Sequence, residues 1–407
     1  MDLRPRLAFG RSELAAGGHP QPGRMIVRRL AMAAALGLAA CAPLSSPPPP
    51  PAATPTPVAS LVPVTYAALP GWSEDSHARV LPALRRSCQR LSQLPAAQAI
   101  GRDGGVAGDW LAPCGALRSL AEADDGEARA FFETWFTPFR MLANGQAEGL
   151  FTGYYEAELH GARRGDRRYR VPIYARPDGL PPDSGDAAGR APYFTRAEIE
   201  AGALKGAAKE LLWVDDPVDA HILHIQGSGR ILMDDGTVVR VGFSASNGHP
   251  FVGLGRILQT HGKLQPGDTT MQAVRAWLKS HPAEAPALMA ENPRYVFFRL
   301  ITGDGPVGAS GVALTAGRSL AVDPRFVAYG TPLWLDAKDP DGQPLRRLMV
   351  AQDTGAAIKG PVRGDVFWGS GEPAMEIAGR MKSRGGYYLL LPRNRTIPVA
   401  ATAAAGD

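Results

Sequence analysis

The sequence predicts a mainly β protein with flanking helices, divided into two domains, and three observations carry that prediction. A chain of 407 residues, 45% of them hydrophobic, can bury two ordinary cores. Its 47 glycines and 37 prolines, against 7% aromatic residues, favour many turns over a helical bundle. From about residue 150 onward, short apolar runs recur between Gly, Pro and Asp, the punctuation of strands and turns.

Residues 1–40 read as a signal region. From Arg24 the string R-M-I-V-R-R-L-A-M-A-A-A-L-G-L-A-A-C places a basic start before an apolar stretch of about a dozen residues, short of the roughly 20 that span a bilayer. Met25 is a second candidate start, because residues 1–23 fit no part of an export signal. The run ends in Leu38-Ala39-Ala40-Cys41, which resembles a bacterial lipobox, so Cys41 is the expected lipidation site. Residues 41–65 then read as a lipidated cysteine and proline-rich linker, whose prolines favour an extended spacer.

Residues from about 74 to 140 read helical, with Ala128, Phe131, Phe132, Trp135 and Phe136 at helical spacing. Cys88 and Cys114 are the remaining cysteines. An exported compartment permits a disulfide between them, and the stripe Leu81, Leu84, Cys88, Leu91 suits two buried thiols equally well. Between about 150 and 260, β runs alternate with turns: H-I-L-H-I reads as a strand, and Asp235-Gly236 marks a hairpin. Capping boxes at Thr195 with Glu198 and at Thr269 with Gln272 open two helices, the second running to Pro282 with Val274, Trp277 and Leu278 on one face. From about 295, Y-V-F-F-R-L, S-L-A-V-D, P-L-W-L-D, R-L-M-V-A-Q, D-V-F-W and G-Y-Y-L-L-L make six short strands, which suggest a small barrel. The tail, 396–407, is expected to be disordered.

The formal charge is +5, but residues 1–40 hold six arginines against Asp2 and Glu13, a net +4, which leaves +1 for the rest. A nearly neutral chain carries no footprint for nucleic acid, so no nucleic-acid partner is expected. The eight histidines never fall at paired metal-ligand spacing, so no metal is expected. Gly253-Leu254-Gly255 lacks the dinucleotide fingerprint, so no cofactor is expected. Gln226-Gly227-Ser228-Gly229 lacks the spacing of a nucleophile elbow, which makes Ser228 a ligand contact.

The densest chemistry lies in residues 349–369, M-V-A-Q-D-T-G-A-A-I-K-G-P-V-R-G-D-V-F-W-G. Asp353 and Asp365 fall at the ends of two apolar strands, beside glycines that let backbone approach closely. Two turn-forming aspartates would fit the same positions. A carboxyl flanked by Val366, Phe367 and Trp368, near a second carboxylate, would be pushed toward its acid form, as a general acid requires. Asp353-Thr354-Gly355 is half of an aspartic-protease site, and that chemistry needs a second such motif or a dimer.

Five blocks, F-T-G-Y-Y-E, H-I-Q-G-S-G, F-S-A-S-N-G-H, N-P-R-Y-V-F-F-R and A-Q-D-T-G-A-A-I-K-G with R-G-D-V-F-W-G, run in order over about 150–370. In them the sequence resembles the membrane-bound lytic murein transglycosylase A family. The resemblance implies a double-psi β-barrel domain from 66–154 and 297–395, an inserted second β domain at 155–296, and a groove between them. It implies a C-terminal module named for three aspartates, and an outer-membrane lipoprotein facing the periplasm. Peptidoglycan glycan strands would be the substrate, and cell-wall synthesis proteins are candidate partners. The implied activity is that of a lytic exotransglycosylase of cell wall turnover, which cleaves the β-1,4 bond between N-acetylmuramic acid and N-acetylglucosamine without water and leaves 1,6-anhydro ends. The residues themselves leave internal against terminal cleavage open. Asp365 matches the family's catalytic aspartate and Asp353 a second matching position, expected to orient or tune it. Thr152, Tyr154, Gln226, Ser228 and Lys359 are candidate groove residues, Tyr154 by stacking on a sugar and Lys359 by meeting acidic wall groups. The alternatives are a non-catalytic peptidoglycan-binding lipoprotein and a dimeric aspartic protease using Asp353.

Overall fold

The computed structural model describes residues 57–120, 122–178, 180, 193–303 and 305–396. The signal region, Cys41, most of the linker and the tail beyond 396 lie outside them. The last part of the expected linker is folded: β1 (Ala59–Pro63) pairs antiparallel with β2 (Phe136–Ala143).

Between these strands lies a helical layer of α1 (Leu81–Leu91), α2 (Leu111–Ala116) and α3 (Asp125–Trp135). Asp124 caps α3 by accepting from the Glu127 N–H at 2.8 Å, while Glu127 reaches back to the Asp124 N–H. The helix stops at Trp135, short of the expected 140, because Pro138 cannot donate in a helix and Phe136 is already extended. A disulfide joins Cys88 of α1 to Cys114 of α2, with Cα atoms 5.4 Å apart. A buried ion pair ties the layer to the barrel beside it: Arg318 donates to Asp75 at 2.6 and 2.8 Å.

The strand that organises the rest is β3 (Gly149–Ala162). It is followed by β4 (Val171–Tyr174), α4 (Arg196–Glu198), β5 (Glu210–Val214), α5 (Pro217–Gln226), β6 (Ser228–Met233) and β7 (Val238–Ser246). Then come α6 (Leu254–Thr260), α7 (Met271–Ser280), α8 (Ala285–Ala290) and β8 (Val296–Ile301). The C-terminal part holds β9 (Ser319–Ala321), β10 (Pro332–Lys338), β11 (Pro344–Asp353), β12 (Arg363–Ser370), α9 (Gly371–Arg380) and β13 (Lys382–Pro392).

Two rings share β3. Its first half pairs with β12 and β13, and the order β3-β12-β9-β11-β10-β13 returns to β3, a closed barrel. Phe151, Leu320, Leu335, Met349, Val366 and Leu389 fill it. The second half of β3 pairs with β6 and β5, and β6-β7-β8 and β5-β4 extend from them. A bridge between Ala175 and Phe298 joins the two ends. Ile173, Leu223, Ile231, Val241 and Phe298 form its core with α5 to α8. The mainly β fold with flanking helices is thus the one observed.

Three local expectations are corrected. Y-V-F-F-R-L, as β8, pairs with β7 and belongs to the second ring, while F-T-G-Y-Y-E in β3 supplies the first ring's sixth strand. H-I-L-H-I is helical, within α5, because Asp216 accepts from the Val218 and Asp219 N–H groups, Pro217 opens the first turn and Gly227 ends it in a left-handed conformation. Thr270, not Thr269, caps α7. The Thr195–Glu198 box and the hairpin at Asp235-Gly236 occur as expected.

Candidate active site

Asp353 and Asp365 flank one residue of the barrel. Ala321 in β9 pairs with Asp353 on one side and with Asp365 on the other, and Asp365 pairs in turn with Thr152 of β3. Directly opposed residues share a face, so all four lie on one side of the sheet. Two strand spacings put the aspartate Cα atoms about 10 Å apart. A bulge makes this possible. The register steps from Ala351–Leu320 to Asp353–Ala321, and the skipped Gln352 turns toward the helical layer, donating to Ala83 O at 2.8 Å and Ser87 Oγ at 2.9 Å in α1.

The two carboxyls have different surroundings. Asp353 accepts from Ala309 N–H and Thr354 N–H at 2.9 Å each through Oδ1, and from Tyr154 Oη–H at 2.8 Å through Oδ2. Burial nonetheless holds its pKa above the usual carboxylate value, against those three donors. Asp365 accepts one side-chain hydrogen bond, from Thr152 Oγ1 at 2.6 Å on Oδ1, which leaves Oδ2 free of protein partners among the described residues. Burial raises it to about 6, opposed by the Arg363 charge and the Thr152 bond and assisted by Asp353. Arg363 donates to Thr152 Oγ1 at 2.7 Å, so the threonine hydroxyl passes its own proton toward Asp365.

The local sequence explains the approach of these elements. A Cβ on Gly153 would lie 2.8 Å from the Trp368 ring and 2.8 Å from Ala378 of α9, so only glycine lets α9 seat against β3 beside Tyr154. A Cβ on Gly364 would meet the Phe151 ring at 2.8 Å. Beneath the aspartates Tyr154, Leu314, Ala321, Ile358 and Phe367 form a small apolar cluster of their own.

The other expected residues are distributed unevenly. Tyr154 is buried against Phe367, and its hydroxyl rather than its ring face serves the site, which corrects the stacking expectation. Gln226, the last residue of α5, accepts from the Tyr155 N–H at 3.1 Å through Oε1, one residue beyond Tyr154 on β3. Ser228 is buried at the start of β6, opposite Gly242. Lys359 is exposed on the loop between β11 and β12. Sequence reading missed Arg363, although its position two residues before Asp365 puts both on one strand face. It also missed Ala309, whose contribution is a backbone N–H that no side-chain pattern reports.

A half-buried carboxyl with a free oxygen and a raised pKa, beside a second carboxyl engaged by three donors, has the environment a general acid needs. Among the described residues no group of His, Cys, Asp and Glu could hold a metal. The family model for the MltA specific insert domain matches residues 150–299, and that for the 3D domain matches 318–391. Membrane-bound lytic murein transglycosylase A of Escherichia coli K12 is 34% identical over 264 residues, 63% of this chain and 68% of that protein. The crystal structure of MltA from Neisseria gonorrhoeae superposes with a TM-score of 0.70 at 34% identity, over 84% of this chain and 96% of that one. E. coli MltA with bound chitohexaose gives a TM-score of 0.62 at 28% identity, over 82% and 94%. The chain belongs to the membrane-bound lytic murein transglycosylase A family.

Proposed function

We infer that this protein is a lytic transglycosylase of peptidoglycan glycan strands and that Asp365 is its single acid/base. The observation that carries this reading is the asymmetry of the two carboxyls. Asp365 keeps an oxygen open and a pKa near 6. Asp353 has both oxygens engaged by donors and is poorly placed to activate a water. Hydrolases that use two carboxyls need the second one free as base or nucleophile.

In the reaction so read, protonated Asp365 gives its proton to the glycosidic oxygen as the bond from the muramoyl anomeric carbon breaks. The resulting carboxylate takes the proton of the muramoyl 6-hydroxyl while that oxygen bonds to the anomeric carbon. A 1,6-anhydro ring and a free 4-hydroxyl result, the acid is regenerated, and no water is consumed. Thr152 fixes the Asp365 oxygen that does not react. Tyr154 and the Ala309 N–H fix Asp353 as a nearby charge. Gln226, Ser228 and Lys359 are proposed as contacts along the groove. The oligosaccharide in the E. coli relative's structure supports a glycan substrate.

The relatives' name supports membrane association, and among the described residues no helix is long and apolar enough to cross a membrane. Our proposal is an outer-membrane lipoprotein anchored through Cys41, facing the periplasm. We place the division between barrel and insert within β3 and next to β8, near the expected 155 and 296. Release of soluble fragments from purified sacculi by residues 42–407, which contain every described element, tests the reading. Asp365→Ala should abolish release while sacculus binding persists. Undiminished release by that variant would remove Asp365 from the mechanism, and binding without release by the unaltered protein would make it a wall-binding lipoprotein.

A further inference from the structure

The near-neutral sum of the chain conceals a concentrated positive patch. Residues 163–170, R-R-G-D-R-R-Y-R, carry five arginines against one aspartate, a local +4, so the remainder of the chain after residue 40, which totals +1 with this loop, sums to −3 without it. The loop joins β3 to β4 at the outer end of the second ring. Arg163, just past the end of β3, lies nine positions beyond Tyr154, about 30 Å of extended chain.

The loop is built rather than loose. Asp166 Oδ1 accepts from the Arg168 and Tyr169 N–H groups at 2.7 Å each, and the Asp166 N–H closes the turn onto Tyr169 O at 3.0 Å. The single acidic group is thereby spent on backbone. Tyr169 is 6% exposed and pins the turn, with the Arg168 guanidinium 5.0 Å over its ring. Gly165 lies against the Trp213 ring, where a Cβ would come within 2.8 Å. All five arginines are exposed. Two of them keep loose, solvent-exposed ion pairs, Arg163 with Asp235 at 3.9 Å and Arg168 with Asp215 at 4.0 Å, which solvent screens and a phosphate can displace. Arg163, Arg164 and Arg170 line a shallow open cleft of about 340 Å³ with Glu210 and Trp213.

We propose that residues 163–170 are a docking surface for the phosphate headgroups of an anionic bilayer. Arginine alone, with no lysine in the loop, supplies planar forks that pair with phosphate oxygens two at a time. The cleft is open, which suits a surface better than an enclosed small ligand. The aromatic residue of the loop is buried, so the contact is electrostatic and superficial rather than an insertion. The relative's name is that of a membrane-bound protein, and an anchor at Cys41 would bring the folded part within reach of a bilayer surface. The patch lies apart from the aspartates, so this proposal stands or falls separately from the catalytic reading.

The test is cosedimentation of residues 42–407, which lack the lipidation site, with vesicles. Phosphatidylethanolamine and phosphatidylglycerol at roughly 3:1 would be compared with pure phosphatidylcholine, at low salt and at about 0.5 M NaCl. The variant carries Arg163→Gln, Arg164→Gln, Arg167→Gln and Arg170→Gln, leaving Arg168 on Tyr169; a second variant has Lys at the same four positions. We expect the unaltered protein to prefer anionic vesicles by roughly tenfold or more, salt to remove the preference, the Gln variant to lose it and the Lys variant to keep part of it. Equal melting temperatures and equal glycan cleavage would show that the Gln variant is folded. Equal binding of unaltered protein and Gln variant to anionic vesicles, or no anionic preference, overturns the proposal. So does a Gln variant that loses sacculi while keeping vesicles, which would assign the patch to wall carboxylates.

Discussion

The two rings built on β3 handle buried ionisable groups in opposite ways. In the first, Asp365 is half-buried on the outer face, raised to about 6, with one oxygen open. In the second, His221 and His224 are 1% and 8% exposed, and burial, then the buried Arg196 charge, pushes both well below the ordinary imidazole value. His224 accepts from the Val296 N–H at 3.2 Å, and His221 contacts Asn292 at 3.3 Å, so both serve as neutral packing groups. A perturbed pKa therefore does not mark a site by itself. Access to the perturbed group does.

The largest expected effect separates the rings outright. Asp365→Asn should lower turnover on sacculi by roughly 10³-fold or more at unchanged fold, whereas His224→Gln should lower the melting temperature and leave turnover of the folded protein unaltered. Loss of turnover in a stable His224→Gln protein would break the comparison. Next, Asp353→Asn and Tyr154→Phe should cost roughly 100-fold and several-fold, since both disturb a charge beside Asp365 rather than the proton carrier.

A pH profile sharpens the contrast further. The proposed mechanism needs the acid form of Asp365, so it predicts that turnover falls as pH rises through about 6. Arg363→Gln removes an opposing charge and should move that limb upward, while Arg363→Lys holds it near its original place. An unmoved limb in the Gln variant would show that Arg363 does not act on Asp365.

Stability should respond to acid with opposite signs. A folded-state pKa above the unfolded one means that Asp365 opposes folding once ionised, so Asp365→Asn should raise the melting temperature above pH 6 and give no gain below the ordinary value of 3.8. The histidines are lowered, so their contribution is present above 6.5 and fades as pH falls below it. Thermal melts from pH 4 to 8 on both variants read this directly. The smallest effect is expected at Lys359→Ala, whose side chain is exposed: within about 0.5 kcal/mol of stability.

Much of the site was legible because its chemistry is concentrated in residues 349–369 and in F-T-G-Y-Y-E, where strand, glycine and polar residue alternate. The parts that were not legible share a cause. Which strands neighbour one another is a non-local property, so the run Y-V-F-F-R-L shows that β8 is a strand without showing that it pairs with β7 in the second ring. The bulge at Gln352 depends on polar partners in α1 that lie far away in the chain. H-I-L-H-I is too short for its pattern to separate helix from strand; the Asp216-Pro217 cap that decides it precedes the segment. The Arg163–Arg170 loop was hidden by summing charge over the whole chain.

The most direct test of the central claim is the mass of the glycan ends that residues 42–407 release from purified sacculi, with Asp365→Asn in parallel. Products lighter by one water than the hydrolytic ones, carrying 1,6-anhydro ends and absent with the variant, are the predicted result. Reducing ends in their place would show that water attacks and that a second group, not Asp365 alone, carries the reaction.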